Sequence, residues 1–114
     1  MEKKSFTVKE LPLDDRPREK LILRGAQNLS ESELLAILLR TGVKGKPVTR
    51  LAMELLDEHG GLSALAGKTV EALTKTAGIG KDKGATLAAA FEIGRRIEFD
   101  RKWISEKKIT SPSD

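Results

Sequence analysis

The groups in this sequence best suited to do chemistry are the backbone amides and lysines between Thr76 and Ala85. Gly78 and Gly80 flank the branched apolar residue Ile79. Because glycine has no Cβ, the backbone there can reach positive φ and another group can approach it closely. The pattern predicts a helix directly after Gly80, and the first amides of a helix have no intrahelical acceptor. Together with the positive end of the helix dipole, these amides can bind an anion such as a phosphate.

This segment resembles a helix-hairpin-helix motif, in which a Gly-hydrophobic-Gly turn offers main-chain amides to one phosphate of a nucleic-acid backbone. Lys81 and Lys83 add positive charge beside the turn, and small Gly84 and Ala85 would let the second helix cross close to the first. We therefore expect a nucleic-acid-binding site at Gly78, Ile79, Gly80, Lys81 and Lys83. The same residues also fit a tight interhelical turn that binds nothing.

Composition excludes several other kinds of site. The 114 residues include no cysteine and one histidine, His59, so disulfides, thiolate metal sites and a histidine-rich zinc site are ruled out. We expect no metal, no cofactor and no enzymatic activity. His59 precedes Gly60-Gly61 at the end of an apparent helix, which predicts a solvated C-terminal residue. The apolar runs are too short to span a membrane, so a cytoplasmic location is the default expectation.

The positive charge is unevenly distributed. The formal net charge is +4, and Lys75 to Lys108 contain nine basic and five acidic residues, against twelve of each in the remainder. A basic field in one part of a small domain is typical of a protein with a phosphate-bearing partner, although a solvated charged helix gives the same pattern.

The elements that would position the turn are all predicted to be helices. Asp14 to Pro17 is typical of a helix start, with an acid near the N-cap and a proline in the first turn. Ser30 and Glu33 form a capping box before a leucine-rich helix that we expect at the buried centre. Further helices are predicted after Pro47, before the turn, and after it. The predicted fold is an all-α, compact bundle of about five helices.

Internal similarity suggests a tandem arrangement. A shift of 36 residues places Gly42-Val43 on Gly78-Ile79 and Leu51 on Leu87. We interpret this as two helix-hairpin-helix units, the first degenerate because Lys44 stands in the place of Gly80; two unrelated amphipathic helix pairs could also give the similarity. In the first unit, the residues expected to reach the other strand of a nucleic acid are Lys44, Lys46 and Arg50.

Three segments are predicted along the chain. Residues 1–13 would form a partly disordered arm, residues 14–103 the helical helix-hairpin-helix domain, and residues 104–114 a polar linker toward a domain that this sequence does not contain. The sequence leaves the oligomeric state open.

Several runs closely resemble the N-terminal region of the RadC-like family, and they follow one another in the family's order: Pro17–Leu21, Arg24–Ala26, Glu33–Gly42, Gly60–Leu62 and Gly78–Gly80. Gly84 stands where the family's pattern has alanine. The family's name refers to DNA repair, and the resemblance implies a helix-hairpin-helix domain that precedes a C-terminal domain of the JAB/MPN metalloprotease type. That second domain's metal site has no counterpart here, so no peptidase activity is implied for this chain.

Two functions follow as expectations. The first is a non-enzymatic, sequence-independent DNA-binding module that contacts backbone phosphates. The alternative is a helical protein-interaction or tethering module that docks a partner or the C-terminal metalloprotease-like domain. Intact helix packing without DNA affinity would favour the alternative.

Overall fold

The computed structural model describes the backbone of residues 16–110 and the side-chain surroundings of residues 16–106. The predicted arm at 1–13 lies outside the described residues, as do Asp14, Asp15 and residues 111–114. The described part contains no strand, which confirms the all-α prediction, and it has six α-helices where about five were predicted. They are α1 (Pro17–Arg24), α2 (Glu31–Leu39), α3 (Val48–His59), α4 (Leu62–Ala66), α5 (Val70–Leu73) and α6 (Lys81–Thr110).

The starts of the first two helices differ in how well the sequence predicted them. Pro17 opens α1, but its N-cap is Arg16, which makes no side-chain capping bond. The capping box of α2 is confirmed, because the Glu33 amide donates to Ser30 Oγ at 3.2 Å and the Ser30 amide donates to Glu33 Oε1 at 2.8 Å. Glu33 also accepts from Lys20 Nζ at 2.9 Å, which joins α1 to α2. The Ser30 bond above all, and then Lys20, lower the pKa of Glu33.

The core is shared among helices rather than centred on α2. Leu35, Ala36 and Leu39 of α2 are buried, whereas Leu38 lies only partly buried at the edge of the core. The expectation that α2 lies at the buried centre of the domain is therefore only partly met. The leucine side chains with no exposed surface come from α3, α4, α5 and α6: Leu51, Leu55, Leu65, Leu73 and Leu87. These leucines form one apolar cluster with Ile79 of the second loop.

Helix α6 extends beyond the core. Its 30 residues correspond to about 45 Å. Among the side chains that the structure describes, those of α6 that pack in the apolar core are Leu87 and Phe91, in the first half of the helix. Ile97, further along the same helix, is 53% exposed. The helix continues to Thr110, so residues 104–110 of the predicted linker are helical.

Candidate phosphate-binding site

The turn before α6 has a conformation that requires glycine. The Ile79 amide donates to the Thr76 carbonyl at 3.0 Å, which closes a four-residue turn, and Gly78 has φ +96° at its third position. This is the glycine position of a type II turn. Ile79 is buried and fills the core beneath the turn. Gly78 has the positive φ that the sequence led us to expect, whereas Ile79, predicted as part of the nucleic-acid-binding site, is buried and its amide is bound to Thr76.

The first turn of α6 presents open amides. The Gly84 amide donates to the Gly80 carbonyl at 2.9 Å, which makes Gly80 the N-cap of α6. Within residues 16–110, the amides of Gly80, Lys81, Asp82 and Lys83 donate to no backbone carbonyl. A Cβ built on Gly80 would meet no atom within 4 Å. Main-chain donors, open space and the helix dipole thus coincide, as an anion site needs, although the Asp82 carboxylate in the same turn opposes a bound anion.

The two lysines of the second hairpin differ in their surroundings. Lys81 is exposed on the first turn of α6. Lys83 instead folds back, and its Nζ donates to the Leu39 carbonyl at 3.0 Å and to Thr41 Oγ1 at 3.2 Å. It therefore neutralises the C-terminal end of α2, where the sequence had predicted a contact with nucleic acid. Sequence alone could not separate the two, because the partner of Lys83 lies 44 residues away.

The loop between α2 and α3 is a tight turn of its own. Val43 and Lys46 exchange backbone hydrogen bonds of 3.0 and 2.8 Å, which leaves Lys44 and Gly45 at the exposed tip. Gly45 has φ +78°. A Cβ at Gly42 would lie 2.1 Å from the Lys46 carbonyl oxygen, so the closure of this loop leaves no room for a side chain there.

The two loops meet but are not copies of each other. A Cβ on Gly78 would lie 3.5 Å from Val43 Cγ2 and 2.9 Å from Leu51 Cδ1, so the loops pack side by side. In the aligned positions, however, Gly78 has positive φ and Gly42 does not. Ile79 is buried, whereas its counterpart Val43 is exposed. The repeat places two helix pairs together without giving them the same turn.

The cations predicted in the first unit are partly engaged. Lys46 Nζ lies 2.5 Å from Glu54 Oε1, and Arg50 Nε lies 3.3 Å from Glu54 Oε2. The hydrogen bond from Lys46 is the main cause of a lowered pKa at Glu54. Lys44 is exposed at the loop tip, next in sequence to the residue that contacts Gly78. Of the first unit's cations, Lys44 is thus the one best placed beside the second hairpin.

Part of the basic excess lies far from the turn. Arg95 and Arg96 both bind Glu92, at 2.7 and 2.8 Å, and these hydrogen bonds lower the pKa of Glu92 to about 2. At 1.5 Å per residue, Arg95 is about 21 Å along the helix from Lys81. The residue count of Lys75 to Lys108 therefore overstates the charge available at the hairpin.

His59 differs from its prediction as a solvated residue. Its Nε2 lies 3.0 Å from Thr76 Oγ1, and Thr76 is buried. The ring thus connects the end of α3 to the start of the second hairpin. The two residues are 17 positions apart, so local sequence gives no signal for this contact.

Arg40 has a backbone conformation that the sequence did not predict. It ends α2 with φ 72° and ψ −52°, and the Thr41 amide donates to the Leu39 carbonyl at 2.8 Å. These angles and this bond define a γ-turn of the rare, strained form. No glycine marks the position in the sequence, so a positive φ was not expected there.

The comparisons with known proteins bear on this arrangement as a whole. Residues 8–85 match the family model described as UPF0758 N-terminal, a span that includes both loops and the start of α6. The chain belongs to the UPF0758 family. The resemblance to the N-terminal region of the RadC-like family is thereby confirmed. The name UPF0758 specifies no activity, ligand or partner.

Curated UPF0758 proteins are similar over nearly the whole chain. A relative from Clostridium botulinum strain Hall is 43% identical over 110 residues, which cover 96% of this chain and 48% of the relative. A relative from Chloroflexus aggregans is 47% identical over 111 residues, with the same two coverages. The chain therefore spans about half the length of the curated relatives it matches. No solved structure matches it.

The described residues contain neither a candidate metal-binding group nor a membrane-spanning helix. No group of three histidine, cysteine or acidic side chains in that part of the chain could hold a metal ion. Nor does any helix there combine the length and the apolar character needed to cross a bilayer.

Proposed function

We propose that this UPF0758 chain is a non-enzymatic module that binds DNA through its backbone phosphates, without regard to base sequence. One observation carries the proposal: the open amides of Gly80 to Lys83 begin a long helix, at a site where no atom would meet a Cβ at the N-cap glycine. A phosphate oxygen can approach such amides directly. Contacts of this kind fix the position of a nucleic acid but read no bases.

The charges nearest this site support the same ligand. Lys81 is exposed on the first turn of α6, and Lys44 is exposed on the neighbouring loop, which packs against Gly78 through Val43. Lys83, Lys46 and Arg50 have protein partners. We therefore assign the charge contribution to Lys81 and Lys44, and we assign to Lys83 the task of holding α6 against α2.

A binding titration tests the proposal. We expect duplex, branched and single-stranded DNA to bind the chain, each with an affinity that falls as salt is raised. Two duplexes of shuffled sequence should bind equally well. Lys81→Ala should reduce the slope of log affinity against log salt by about 0.9 for duplex DNA, the value for one phosphate contact.

The matched control for that variant is Lys102→Ala. It removes the same charge from the same helix about 31 Å further along, on an exposed side chain. The control should bind as wild type does. A folded wild-type chain without salt-dependent affinity for any DNA form would contradict the proposal.

A second candidate function is favoured by the outer half of α6. Four large apolar side chains are exposed there, namely Ile97, Phe99, Trp103 and Ile104, and Ile93 is exposed just before them. Exposed apolar surface of this kind commonly marks an interaction site. Because the curated relatives are about twice as long, the partner we propose is their additional half.

Hydrogen exchange distinguishes a docked outer half of α6 from one that remains exposed to solvent. The full-length Chloroflexus aggregans relative should protect the amides that correspond to residues 93–104 more strongly than the present chain does. Equal, rapid exchange in both proteins would contradict docking on this surface. The two candidates concern different ends of α6, so either result leaves the DNA titration interpretable.

A further inference from the structure

A cleft between the start of α1 and the loop after α2 is lined by three arginines. Its volume is about 370 Å³, and its charged lining consists of Arg16, Arg18, Arg40 and Glu19. The Thr41 hydroxyl adds a hydrogen-bond donor. Among the described residues that line the cleft, the arginines outnumber the one acid, Glu19, and a guanidinium group can donate two parallel hydrogen bonds to a phosphate. The lining therefore suits a phosphate better than a cation or an apolar ligand.

The backbone at Arg40 places its side chain in this cleft at a conformational cost. Its φ of 72° lies in the region that favours glycine. The turn is held from outside, because Lys83 donates to both residues that flank Arg40, at the Leu39 carbonyl and at Thr41 Oγ1. A glycine at position 40 would adopt the turn more easily but would lack the guanidinium group. Strained positions that their surroundings hold in place are enriched at binding sites.

A second, smaller cleft lies beside the arginine cleft and is lined in part by the first turns of α6. Its volume is about 260 Å³, and Arg40 and Thr41 line it together with Asp82, Lys83 and Thr86 of α6. Arg40 and Thr41 thus belong to both clefts. A chain of phosphates that starts at the first turn of α6 can follow this surface past Arg40 toward Arg18.

We propose that Arg18 and Arg40 bind a second phosphate in the arginine cleft, on the same nucleic-acid backbone whose first phosphate lies at the α6 amides. This inference rests on the proposed function for the identity of the ligand. Glu19 restricts the cleft by repelling the anion from its own side. The two sites together orient the backbone across the end of α2, which a single phosphate contact cannot do.

The variant that tests this combines Arg18→Gln with Arg40→Gly. Because glycine fits the γ-turn, the double variant should keep or raise the midpoint of thermal unfolding. Its slope of log affinity against log salt for duplex DNA should nevertheless fall, by at most about 2. The control, Arg101→Gln with Lys102→Gln, removes the same charge from exposed positions on the outer half of α6 and should leave the slope unchanged.

A second measurement uses inorganic pyrophosphate and does not depend on DNA. Pyrophosphate should shift the NMR signals of the Nε–H groups of Arg18 and Arg40 in the wild-type chain in a saturable way, and the signal of the Arg101 Nε–H should not move. In Arg40→Lys the Nε–H signal of residue 40 is lost. Pyrophosphate should then be detected at this residue only through a shift of its backbone amide signal.

The outcomes separate the two claims. If wild type binds DNA and the Arg18→Gln, Arg40→Gly variant binds it with the same slope, the arginine cleft is not a phosphate site and the proposed function stands. If wild type binds no DNA, the proposed function fails and the pyrophosphate titration decides the cleft. Saturable shifts at both arginines would then support a phosphate site there, and their absence would overturn it.

Discussion

The ammonium group of Lys83 donates a hydrogen bond to the carbonyl oxygen of Leu39 at 3.0 Å and so joins the first turn of α6 to the last turn of α2. A lysine near a helix C-terminus also interacts favourably with the negative end of that helix's dipole. The contact explains why two lysines separated by one residue have different tasks. Lys83 stabilises the packing of the hairpin, and Lys81 remains available to a ligand.

This difference predicts that alanine variants of the two lysines differ in their free energy of unfolding. Lys83→Ala should lower the free energy of unfolding by about 1 to 2 kcal/mol, because a charge-assisted hydrogen bond is lost. Lys81→Ala should change it by less than about 0.5 kcal/mol, as is usual for an exposed side chain. Urea denaturation at neutral pH measures both. Equal destabilisation by the two variants would show that the Lys83 contact contributes nothing to stability.

A second prediction concerns the turn glycines. Gly78→Ala combines a positive φ with a Cβ that would lie 2.9 Å from Leu51 Cδ1, whereas a Cβ at Gly45, which also has positive φ, would meet no atom within 4 Å. Gly45→Ala should therefore cost about 1 kcal/mol of backbone strain. Gly78→Ala should cost more, because Leu51 is fully buried and cannot move aside freely. Equal losses in thermal unfolding would mean that the loops are not packed together as described.

A third prediction follows from the lowered pKa of Glu33, whose first cause is the Ser30 amide hydrogen bond and whose second favourable cause is Lys20. A carboxylate with a lowered folded-state pKa stabilises the fold above its usual pKa of 4.5, and this contribution is lost as the pH falls through the folded value. The stability advantage of wild type over Glu33→Gln should therefore be constant near neutral pH and shrink progressively below the usual value.

The control for this pH dependence is Glu31→Gln, which removes an acid from the same helical turn without touching the capping box. The capping box is intact in that variant, so the pH dependence that comes from the Ser30 and Lys20 hydrogen bonds should appear with Glu33→Gln. A Glu33→Gln difference that does not change between neutral and acidic pH would contradict the assigned cause. Denaturation in urea at a series of pH values gives the comparison.

The sequence predicted the local features well because local chemistry decides them. A few adjacent residues determine each of three features that the sequence predicted. These are the Ser30–Glu33 capping box, the glycine at φ +96° in the second turn and the close crossing at Gly84. A Cβ at Gly84 would lie 3.2 Å from Val70 Cγ1, as the small residue there led us to expect. The all-α fold follows from the same kind of signal.

The sequence failed where the deciding partner is distant in the chain. Lys83 with Leu39 and His59 with Thr76 are contacts between residues that are 44 and 17 positions apart. The i,i+4 pair of Arg50 and Glu54, by contrast, is one that helical spacing could have indicated. The exposure of Ile97 has a local cause instead, because at 3.6 residues per turn Ile97 lies about 80° around the helix from Leu87 and about 120° from Phe91, away from the packed side.

The most direct test of the phosphate site at the α6 amides is the affinity of Gly80→Asp for duplex DNA at low salt, beside Gly80→Asn as the uncharged control. Both residues are favoured at an N-cap, where Gly80 lies with open space around it, so both variants should stay folded with an unchanged or higher Tm. The account predicts that Gly80→Asp loses DNA affinity almost completely, because its carboxylate occupies the amides and repels phosphate, and that Gly80→Asn loses less. A folded Gly80→Asp variant that binds DNA as tightly as wild type would contradict it.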